Sequence, residues 1–554
     1  MLFRGEDTTA MTVEFQVDKS SRKPSILVTD YMDLYYIKSL DLGGQININE
    51  AIDGIVEEFS KFTWTISLAY LPIPLAHRYE QKGWKRIGEG GIWVKPYAKI
   101  TGELPKDIER YANCRAIIDL ALFSEEYLER QEYVRLVLGE VIVELGEEKK
   151  GLEKLASIRG LIELFLHRNG VAVITVSFMI HDLRLTSTDV LKLRYVLEVE
   201  GVEVRIPRNP YITWILLKSG KITTSPAGKR SETEVLKTKM KIWEVIDVYS
   251  TYIKYIILRM KGYSPRNLME LESMLRNPWD TMYTVLFTEV LKGGRRIVEL
   301  LRDYSLQIYA MLHGTRRIAS TEAIRRTIRK SFYYIPAQNI GETLTKPVSR
   351  VNISRVTIVI TDTNTHIVAI SRKYLGPSDI GLRLRLRHLV VLELINHAKQ
   401  SLRVFEYQFI HRRLRGLDEL VKLREEYSHV IDLVENHYFI VDRDMKEFFT
   451  HAVKALEINR LIVSVERKLE SLNYIIMTRY QDKINKMQVL LSVLFGIFGV
   501  PFFIFSYVQW YFDYVATGAS KSFIPVTIFT MMPTIIILLT TLHLYYKWQK
   551  EIFE

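Results

Sequence analysis

Met487–Phe512 reads MQVLLSVLFGIFGVPFFIFSYVQWYF, and Phe523–Tyr546 reads FIPVTIFTMMPTIIILLTTLHLYY. Only the short polar stretch Asp513–Ser522 separates these two uncharged apolar segments. Each segment is long enough to cross a hydrocarbon core of about 30 Å as a helix. No comparable stretch precedes them. The sequence therefore predicts a large water-facing body followed by a transmembrane hairpin, residues 487–554.

Lysines flank the outer ends of the hairpin: Lys483 and Lys486 before it, Lys547 and Lys550 after it. Because basic residues stay on the cytoplasmic side of a membrane, both termini are expected in the cytoplasm and the loop outside. No basic segment followed by an apolar one opens the chain, so no cleaved signal peptide is expected. The single cysteine, Cys114, fits a reducing compartment. The predicted location is the cell membrane, with two spans.

The chain has 554 residues and a formal net charge of +12. This length predicts two or three folding units. The basic clusters occur in helical stretches with acids nearby, which favours a solvated or lipid-facing surface over a nucleic-acid interface. These clusters are Arg325, Arg326, Arg329 and Lys330; Arg383, Arg385 and Arg387; and Arg412, Arg413 and Arg415.

Residues 1–225 alternate strand and helix patterns, which predicts a cytosolic α/β domain. The predicted strands are Trp64–Leu71, Gly91–Ile100, Ala116–Phe123, Tyr133–Leu145, Val171–Ile180 and a short one near Val202–Ile206. The predicted helices are Ile48–Phe62, Glu147–Arg168 and Thr188–Leu197.

Pro, Gly and small polar residues cluster at Thr223–Arg230, which predicts a domain boundary there. Residues 231–375 are expected to form a helical region with a β-hairpin. Long helical patterns cover Glu234–Met260 and Asp280–His313, and a strand pair covers Arg355–Ile360 and His366–Ser371. The pair either adds to the first sheet or stands alone; the sequence leaves both arrangements open.

Residues 376–486 are expected to form a helical stalk section, with helices at about Ser378–Arg413 and Leu417–Asn436. A last helix is expected from Asp442 to Phe512, running without a stop into the first apolar segment. Apolar residues at spacings of four and three, with one phase shift, predict a packed seam of the coiled-coil kind along it. They are Met445, Phe449, Ala452 and Leu456, then Ile458, Ile462, Val465, Leu469, Leu472 and Ile476.

The sequence carries no strong enzyme motif. It has no phosphate-binding Walker loop, HExxH, CxxC or nucleophile elbow. The histidines are scattered over helices, where surface or core positions are more common than ligand positions. We therefore expect neither an enzyme nor a bound cofactor, other than a divalent cation as substrate or regulator. The sequence identifies no metal ligands.

A stripe of mostly small or polar residues runs along the first apolar segment: Ser492, Gly496, Gly499, Phe503 and Ser506. In one interpretation, small residues allow close helix packing. In the other, the stripe lines a pore, with the amide of Gln509 at the outer end. Two helices cannot enclose a pore, so a channel requires a homo-oligomer, which closes by cyclic symmetry in most cases.

This order of elements resembles the CorA family of divalent-cation channels. That family combines a cytosolic α/β domain, a very long stalk helix and two C-terminal spans, and it assembles as a pentamer. The run Asn485-Lys486-Met487-Gln488-Val489-Leu490, with Pro501 following in the span, is similar to the start of the family's first span. The resemblance implies transport of divalent cations such as magnesium by a pentamer in the lipid bilayer.

The family's Gly-Met-Asn signature is absent, because the corresponding stretch reads Gln509-Trp510-Tyr511-Phe512-Asp513. Two hypotheses follow. The first is a CorA-like oligomeric channel or transporter for divalent cations. The second is a membrane-anchored interaction or sensor protein that keeps this architecture without transport, with Phe503, Tyr507 and Trp510 closing the path. A membrane-tethered enzyme ranks third, since no site residues support it.

Overall fold

The computed structural model contains two compact units, Met1–Tyr407 with His429–Val463, and Gln408–Ser428 with Ser464–Glu554. Each unit is described by itself. The described residues are 28–59, 65–68, 73–87, 92–96, 106–124, 127–128, 132–145, 157–207, 235–263, 281–290, 350–353, 356–360, 365–371, 379–411 and 440–515, with isolated residues between 216 and 543.

The first unit is built on one sheet, in which 13 strands are described. The strands are β1 Val28–Asp41, β2 Thr65–Leu68, β3 Lys85–Ile87, β4 Ile92–Pro96, β5 Tyr133–Glu144, β6 Ser157–His167, β7 Val171–Thr186, β8 Val202–Pro207, β9 Val235–Met240, β10 Thr281–Val290, β11 Arg350–Ile353, β12 Val356–Ile360 and β13 Thr365–Ser371. Their order is β11-β12-β13-β10-β1-β7-β6-β5-β2-β4-β3, with β8 beside β5 and β9 beside β8. Among the described pairs, β10 and β13 are parallel and the others antiparallel.

The described helices lie between and after these strands in the chain. They are α1 Ile48–Phe59, α2 Ile73–Gln81, α3 Lys106–Leu122, α4 Ser187–Tyr195, α5 Ile242–Met260, α6 Asp379–His411, α7 Arg443–Ala455 and α8 Ile458–Val515. A π-helical turn, Val196–Glu200, follows α4. Thr186 and Asp189 form a capping box at the start of α4, which satisfies two backbone donors that the helix leaves free.

The two faces of the sheet differ in chemistry. Because successive side chains of a strand point to opposite faces, Leu34, Tyr36 and Leu40 of β1 share one face. They belong to an apolar core with α1 and α5, including Ile52 and Tyr252. This face follows the usual pattern of a sheet covered by amphipathic helices.

The opposite face carries buried polar side chains. Asp33 and Ser39 of β1, Glu163 of β6, and Thr175 and Ser177 of β7 are all buried on it. Side chains of α3 and α6 bond to this face, for example through Tyr111 and Glu393, respectively. The unit therefore has an apolar layer on one side of the sheet and a charged layer on the other.

Several sequence predictions agree with these elements. Strands near Tyr133–Leu145 and Val171–Ile180, and helices near Ile48–Phe62 and Thr188–Leu197, are present as β5, β7, α1 and α4. In each case the predicted and observed bounds overlap over most of their length.

Three predictions were wrong. The predicted strand Ala116–Phe123 lies mainly in helix α3, while strands β6 and β10 occupy parts of the predicted helices Glu147–Arg168 and Asp280–His313. In β6 the cause is burial on both faces, which produces a nearly continuous apolar run without a readable period.

The sheet is also larger than the sequence indicated. Strands β9 and β10 fall within residues 231–375, where helices were expected. The predicted strand pair is β12 with β13, and β13 joins it to β10 as a parallel neighbour. This answers the question that the sequence left open: the pair extends the main sheet. The alternation predicted α/β layers, whereas the observed sheet is antiparallel apart from this one neighbour pair among the described strands.

The helix predicted to be nearly continuous from Asp442 to Phe512 is broken at one point. Helix α7 ends at Ala455 and α8 begins at Ile458, and Glu457 between them has a positive φ of 56°. The break coincides with the phase shift between Leu456 and Ile458 in the apolar row. Beyond it, α8 runs for 58 residues to Val515 and includes Pro501.

Two regions of interest lie outside the described residues. They are the predicted domain boundary Thr223–Arg230 and, apart from Leu539 and His543, the second apolar segment Phe523–Tyr546.

Candidate functional site

The stripe proposed from the sequence lies entirely within helix α8. At about 100° per residue, Ser492, Gly496, Gly499, Phe503 and Ser506 span roughly 80° of the helix circumference. Gln509 lies about 60° beyond Ser506. The backbone thus places five of the six candidate residues on one narrow face and the sixth beside it.

In the single chain, the described residues of this face are not covered by other parts of the protein. Ser492, Gly499 and Ser506 are exposed, and Gln509 is partly buried. A Cβ atom added to Gly499 would meet nothing within 4 Å. Gly496 and Phe503 belong to the helix, but their surroundings lie outside the described set.

Helix α8 also carries bulky apolar side chains with high exposure. Val489, Phe495, Phe502, Ile504 and Phe512 are each more than half exposed, Phe495 at 75%. Earlier in the helix, by contrast, the predicted seam is buried, as at Ile462, Val465 and Leu472. The helix therefore changes from a row packed within the chain to an exposed apolar surface.

A second site, which the sequence analysis did not identify, lies in the charged layer on the sheet. Arg115 of α3 donates to Glu163 Oε2 through Nε (3.1 Å) and Nη2 (2.7 Å), and through Nη2 to Glu393 Oε1 (2.8 Å). Arg135 of β5 donates to Glu393 Oε2 at 2.5 Å and to Asp119 Oδ2 at 3.0 Å. All five side chains are at most 1% exposed.

Neutral hydroxyls complete this cluster, which we call the buried ion network (Arg115, Asp119, Arg135, Glu163 and Glu393). Tyr111 donates to Glu163 Oε2 at 3.0 Å, and Thr175 donates to Glu393 Oε1 at 2.8 Å. Glu393 thus accepts hydrogen bonds from side chains of α3, β5 and β7. This one carboxylate therefore connects α6 to three separate elements.

Burial and pairing act in opposite directions on these groups. Burial alone would raise the pKa of Glu393, but Arg115 and Arg135 together lower the pKa below its ordinary value. At Asp119 burial prevails, and the pKa is raised despite Arg135. The pKa of Arg115 is raised because Glu163 and Glu393 outweigh the cost of burial. The centre of the network is therefore charged at neutral pH.

A second buried ion pair connects the same two layers. Arg385 of α6 donates through Nε to Asp33 Oδ2 of β1, and both side chains are fully buried. Since Arg385 and Glu393 are eight residues apart, α6 is attached to the sheet at two points, about two turns from each other.

The chemistry of the buried ion network is structural. Its carboxylates are closed off from solvent, and each accepts from at least one guanidinium group, while Glu163 Oε1 has no hydrogen-bond partner among the described residues. Within the described part of the chain, no group of His, Cys, Asp or Glu side chains is arranged to hold a metal ion. The arrangement fixes α3 and α6 on the sheet rather than presenting a reactive group.

Among the described residues, no helix meets the length and hydropathy required to cross a membrane. Comparison with protein-family models, curated proteins and solved structures gave no match to this chain.

The sequence did contain one signal for the buried ion network. Arg135, Glu163 and Glu393 each interrupt a long apolar run, as in LVVLELINHA around Glu393. A charge inside such a run indicates a buried and paired side chain. The partners could not be paired from sequence, because Arg135 and Glu393 are 258 residues apart.

Proposed function

We propose that this chain is a subunit of a homo-oligomeric membrane channel or transporter for divalent cations such as magnesium. The observation that carries the proposal is helix α8, a single helix of 58 residues. The first part of this helix carries an apolar seam that is buried within the chain. The later part carries an exposed apolar surface and the stripe of small and polar residues.

The exposed apolar surface of α8 is expected to be buried against another molecule. Contiguous apolar surface of this kind marks a contact with lipid or with protein. The apolar sequences Met487–Phe512 and Phe523–Tyr546, with their lysine flanks, favour lipid on the bulky side of α8. The stripe then faces other copies of the chain, because its small residues present little apolar surface to lipid.

A ring of α8 helices would create an axial path that one copy cannot form. Ser492 and Ser506 would line it with hydroxyls, and Gly496 and Gly499 would widen it between them. A hydrated or partly hydrated cation needs such oxygen groups in place of its lost water. Gln509 would offer an amide near the outer end. No covalent chemistry is required of the protein.

The proposal is tested by magnesium flux into proteoliposomes that contain the purified full chain. Gly496→Trp places a large ring on the stripe, and we expect at least a tenfold loss of flux with the oligomer intact. Leu494→Trp is the matched control, because residue 494 lies on the opposite side of the helix, and it should retain flux.

The outcomes separate the two interpretations of the stripe. If Gly496→Trp prevents assembly, as judged by oligomer mass in mild detergent, the stripe is a packing surface. If the unsubstituted protein conducts no divalent cation, the channel proposal fails.

The second candidate is a membrane-anchored sensor or interaction protein without transport. One observation favours it: Phe503 and Trp510 are seven residues apart in α8 and fall on the same face as the small residues. Two aromatic rings per subunit would close a narrow path. An oligomer that assembles normally but shows no flux, even after Phe503→Ala and Trp510→Ala, would support this candidate.

A further inference from the structure

Two histidines lie against each other where α6 contacts the end of β6. The ring centroids of His167 and His397 are 4.1 Å apart with an interplanar angle of 34°. Their exposed fractions are 3% and 1%. Water therefore has almost no access to either ring, and a charge on one ring would act directly on the other.

Asn169 fixes the protonation of this pair. Its amide oxygen accepts the Val171 N–H at 3.0 Å, so the oxygen is also the atom that faces His397 Nε2 at 3.1 Å. Its amide nitrogen donates to Ser401 Oγ at 2.9 Å, which confirms the orientation of the amide group. His397 Nε2 is consequently the protonated nitrogen of that ring.

The backbone of Asn169 fixes the second ring. The Asn169 N–H donates to His167 Nδ1 at 3.3 Å. A nitrogen that accepts a hydrogen bond carries no proton, so His167 is neutral while this bond exists. A second proton on His167 would break the bond at the β6–β7 turn.

No carboxylate contributes to the lowered pKa of His397, which results from burial and then from His167. Glu393, one turn earlier on α6, is bound to Arg115, Arg135 and Thr175. Other charged side chains in the neighbouring parts of these elements are Lys399, Arg403 and Glu406 on α6, Glu132 and Arg135 at the start of β5, Arg168 beyond β6 and Asp41 at the end of β1. Glu132 precedes Tyr133, the strand partner of His167. Lys399 donates to Tyr283, and Asp41 accepts from the Gly43 N–H.

We propose that the contact between the C-terminal half of α6 and the end of β6 is an acid-sensitive latch, which opens when the His167–His397 pair takes up protons. Closure requires both rings to be neutral. The bond from the Asn169 N–H excludes a proton on His167 Nδ1, and the close ring contact disfavours a positive charge on either ring. In the opened state the rings reach water and accept protons at their ordinary affinity. This inference concerns the sheet unit and is independent of ion transport.

The direction of the effect follows from linkage. Burial is the main cause that lowers the pKa of His397 well below its ordinary value of 6.5, and electrostatic repulsion from His167 is the second cause. The opened form thus binds more protons than the closed form once the pH falls below about 6.5. Opening becomes about tenfold more favourable per pH unit for each proton taken up.

Hydrogen exchange of the full chain in detergent tests the latch. Peptides covering residues 393–407 are followed from pH 7.5 to 4.5, with rates corrected for intrinsic exchange. We expect a corrected rate that is flat above about pH 6.5 and rises below it by more than tenfold per unit, toward about a hundredfold when both rings take up protons. His397→Phe should reduce the rise to at most about tenfold per unit, and His167→Phe, measured in the same way, provides a second variant if the first does not fold.

His77→Gln is the control, since His77 is an exposed histidine whose side chain is 73% accessible. It should keep the wild-type slope. A wild-type rate that does not change with pH would overturn the latch. So would an unchanged slope in a folded variant that lacks either member of the pair.

Discussion

At the scale of residues, the chain keeps ionised side chains in its interior by giving each of them several partners. Glu393 accepts from two guanidinium groups and one hydroxyl. A buried ion pair adds little net stability compared with apolar residues, but removal of one partner is costly because it leaves the other charge uncompensated. The cost of removing Glu393 is therefore mainly the cost of keeping Arg115 and Arg135 buried without its negative charge.

We expect Glu393→Gln to lower the free energy of unfolding by about 3–5 kcal/mol, because Arg115 and Arg135 lose a shared counter-charge while the side-chain volume is unchanged. The matched control is Asp379→Asn on the same helix, whose pair with Arg110 is exposed. That change should cost under about 1 kcal/mol. Thermal or denaturant unfolding in detergent measures both. Equal effects of the two substitutions would contradict the assigned role of Glu393.

His388 predicts a second pH dependence. Its ring donates from Nδ1 to the Leu384 carbonyl at 2.8 Å and packs edge-on against Phe448 at 5.1 Å. Burial lowers its pKa to about 4, against 6.5 in the unfolded chain. The unfolded state then binds more protons between these values, so stability is complete above about pH 6.5 and falls toward pH 4.

His388→Phe should remove about 3 kcal/mol of acid destabilisation, from 2.5 pKa units at 1.36 kcal/mol each. The measurement is the midpoint of thermal unfolding at pH 7.5 and at pH 4.5. His77→Gln, at an exposed site, should leave the difference between the two midpoints unchanged. An undiminished difference in the His388 variant would assign the acid sensitivity to other groups.

At the scale of elements, the break between α7 and α8 shows how one residue ends a helix whose sequence would continue. Glu457 adopts the left-handed conformation, with φ at 56°, which costs a non-glycine residue about 1–2 kcal/mol. Its carboxylate pairs with Arg460 at 2.9 Å, an exposed contact worth little. The packing of Leu456 and Ile458, both buried, compensates for this strain.

Glu457→Gly should therefore raise the free energy of unfolding by about 0.5–1 kcal/mol, since glycine adopts this conformation without a Cβ penalty. Glu457→Ala is the control: it loses the Arg460 contact but keeps the strained backbone, and it should be neutral or slightly destabilising. Denaturant midpoints compare the two. A stabilised alanine variant would show that the left-handed conformation is absent in solution.

At the scale of the whole molecule, the proposed function depends on a membrane orientation that can be measured directly. Under the proposed function, the lysine flanks predict that both termini lie in the cytoplasm and that the loop Asp513–Ser522 lies outside. Cys114 is the single native cysteine, and it is buried, so labelling of introduced cysteines has a low background.

We expect Ala519→Cys to react with an impermeant thiol reagent in intact cells, and Glu554→Cys to react only after the membrane is permeabilised. Cys114→Ser supplies the unlabelled background. Reaction of both introduced cysteines in intact cells would contradict the cytoplasmic C terminus. Protection of both would place the loop inside.

The sequence by itself determined the elements whose pattern is local. Helix α1 follows the spacing of Ile52, Ile55 and Val56, because the period of a helix is readable where one side faces the core and the other faces water. Helix α8 follows its own apolar pattern. Strand β7 is buried on both faces, but its β-branched residues mark it as a strand. The tertiary structure alone decided that Ser157–His167 and Thr281–Val290 are strands and that β13 joins the sheet beside β10. It also decided that Glu393 meets Arg115 and Arg135. Burial on both sides erases the local period, and partners hundreds of residues apart are brought together only when the whole sheet has formed.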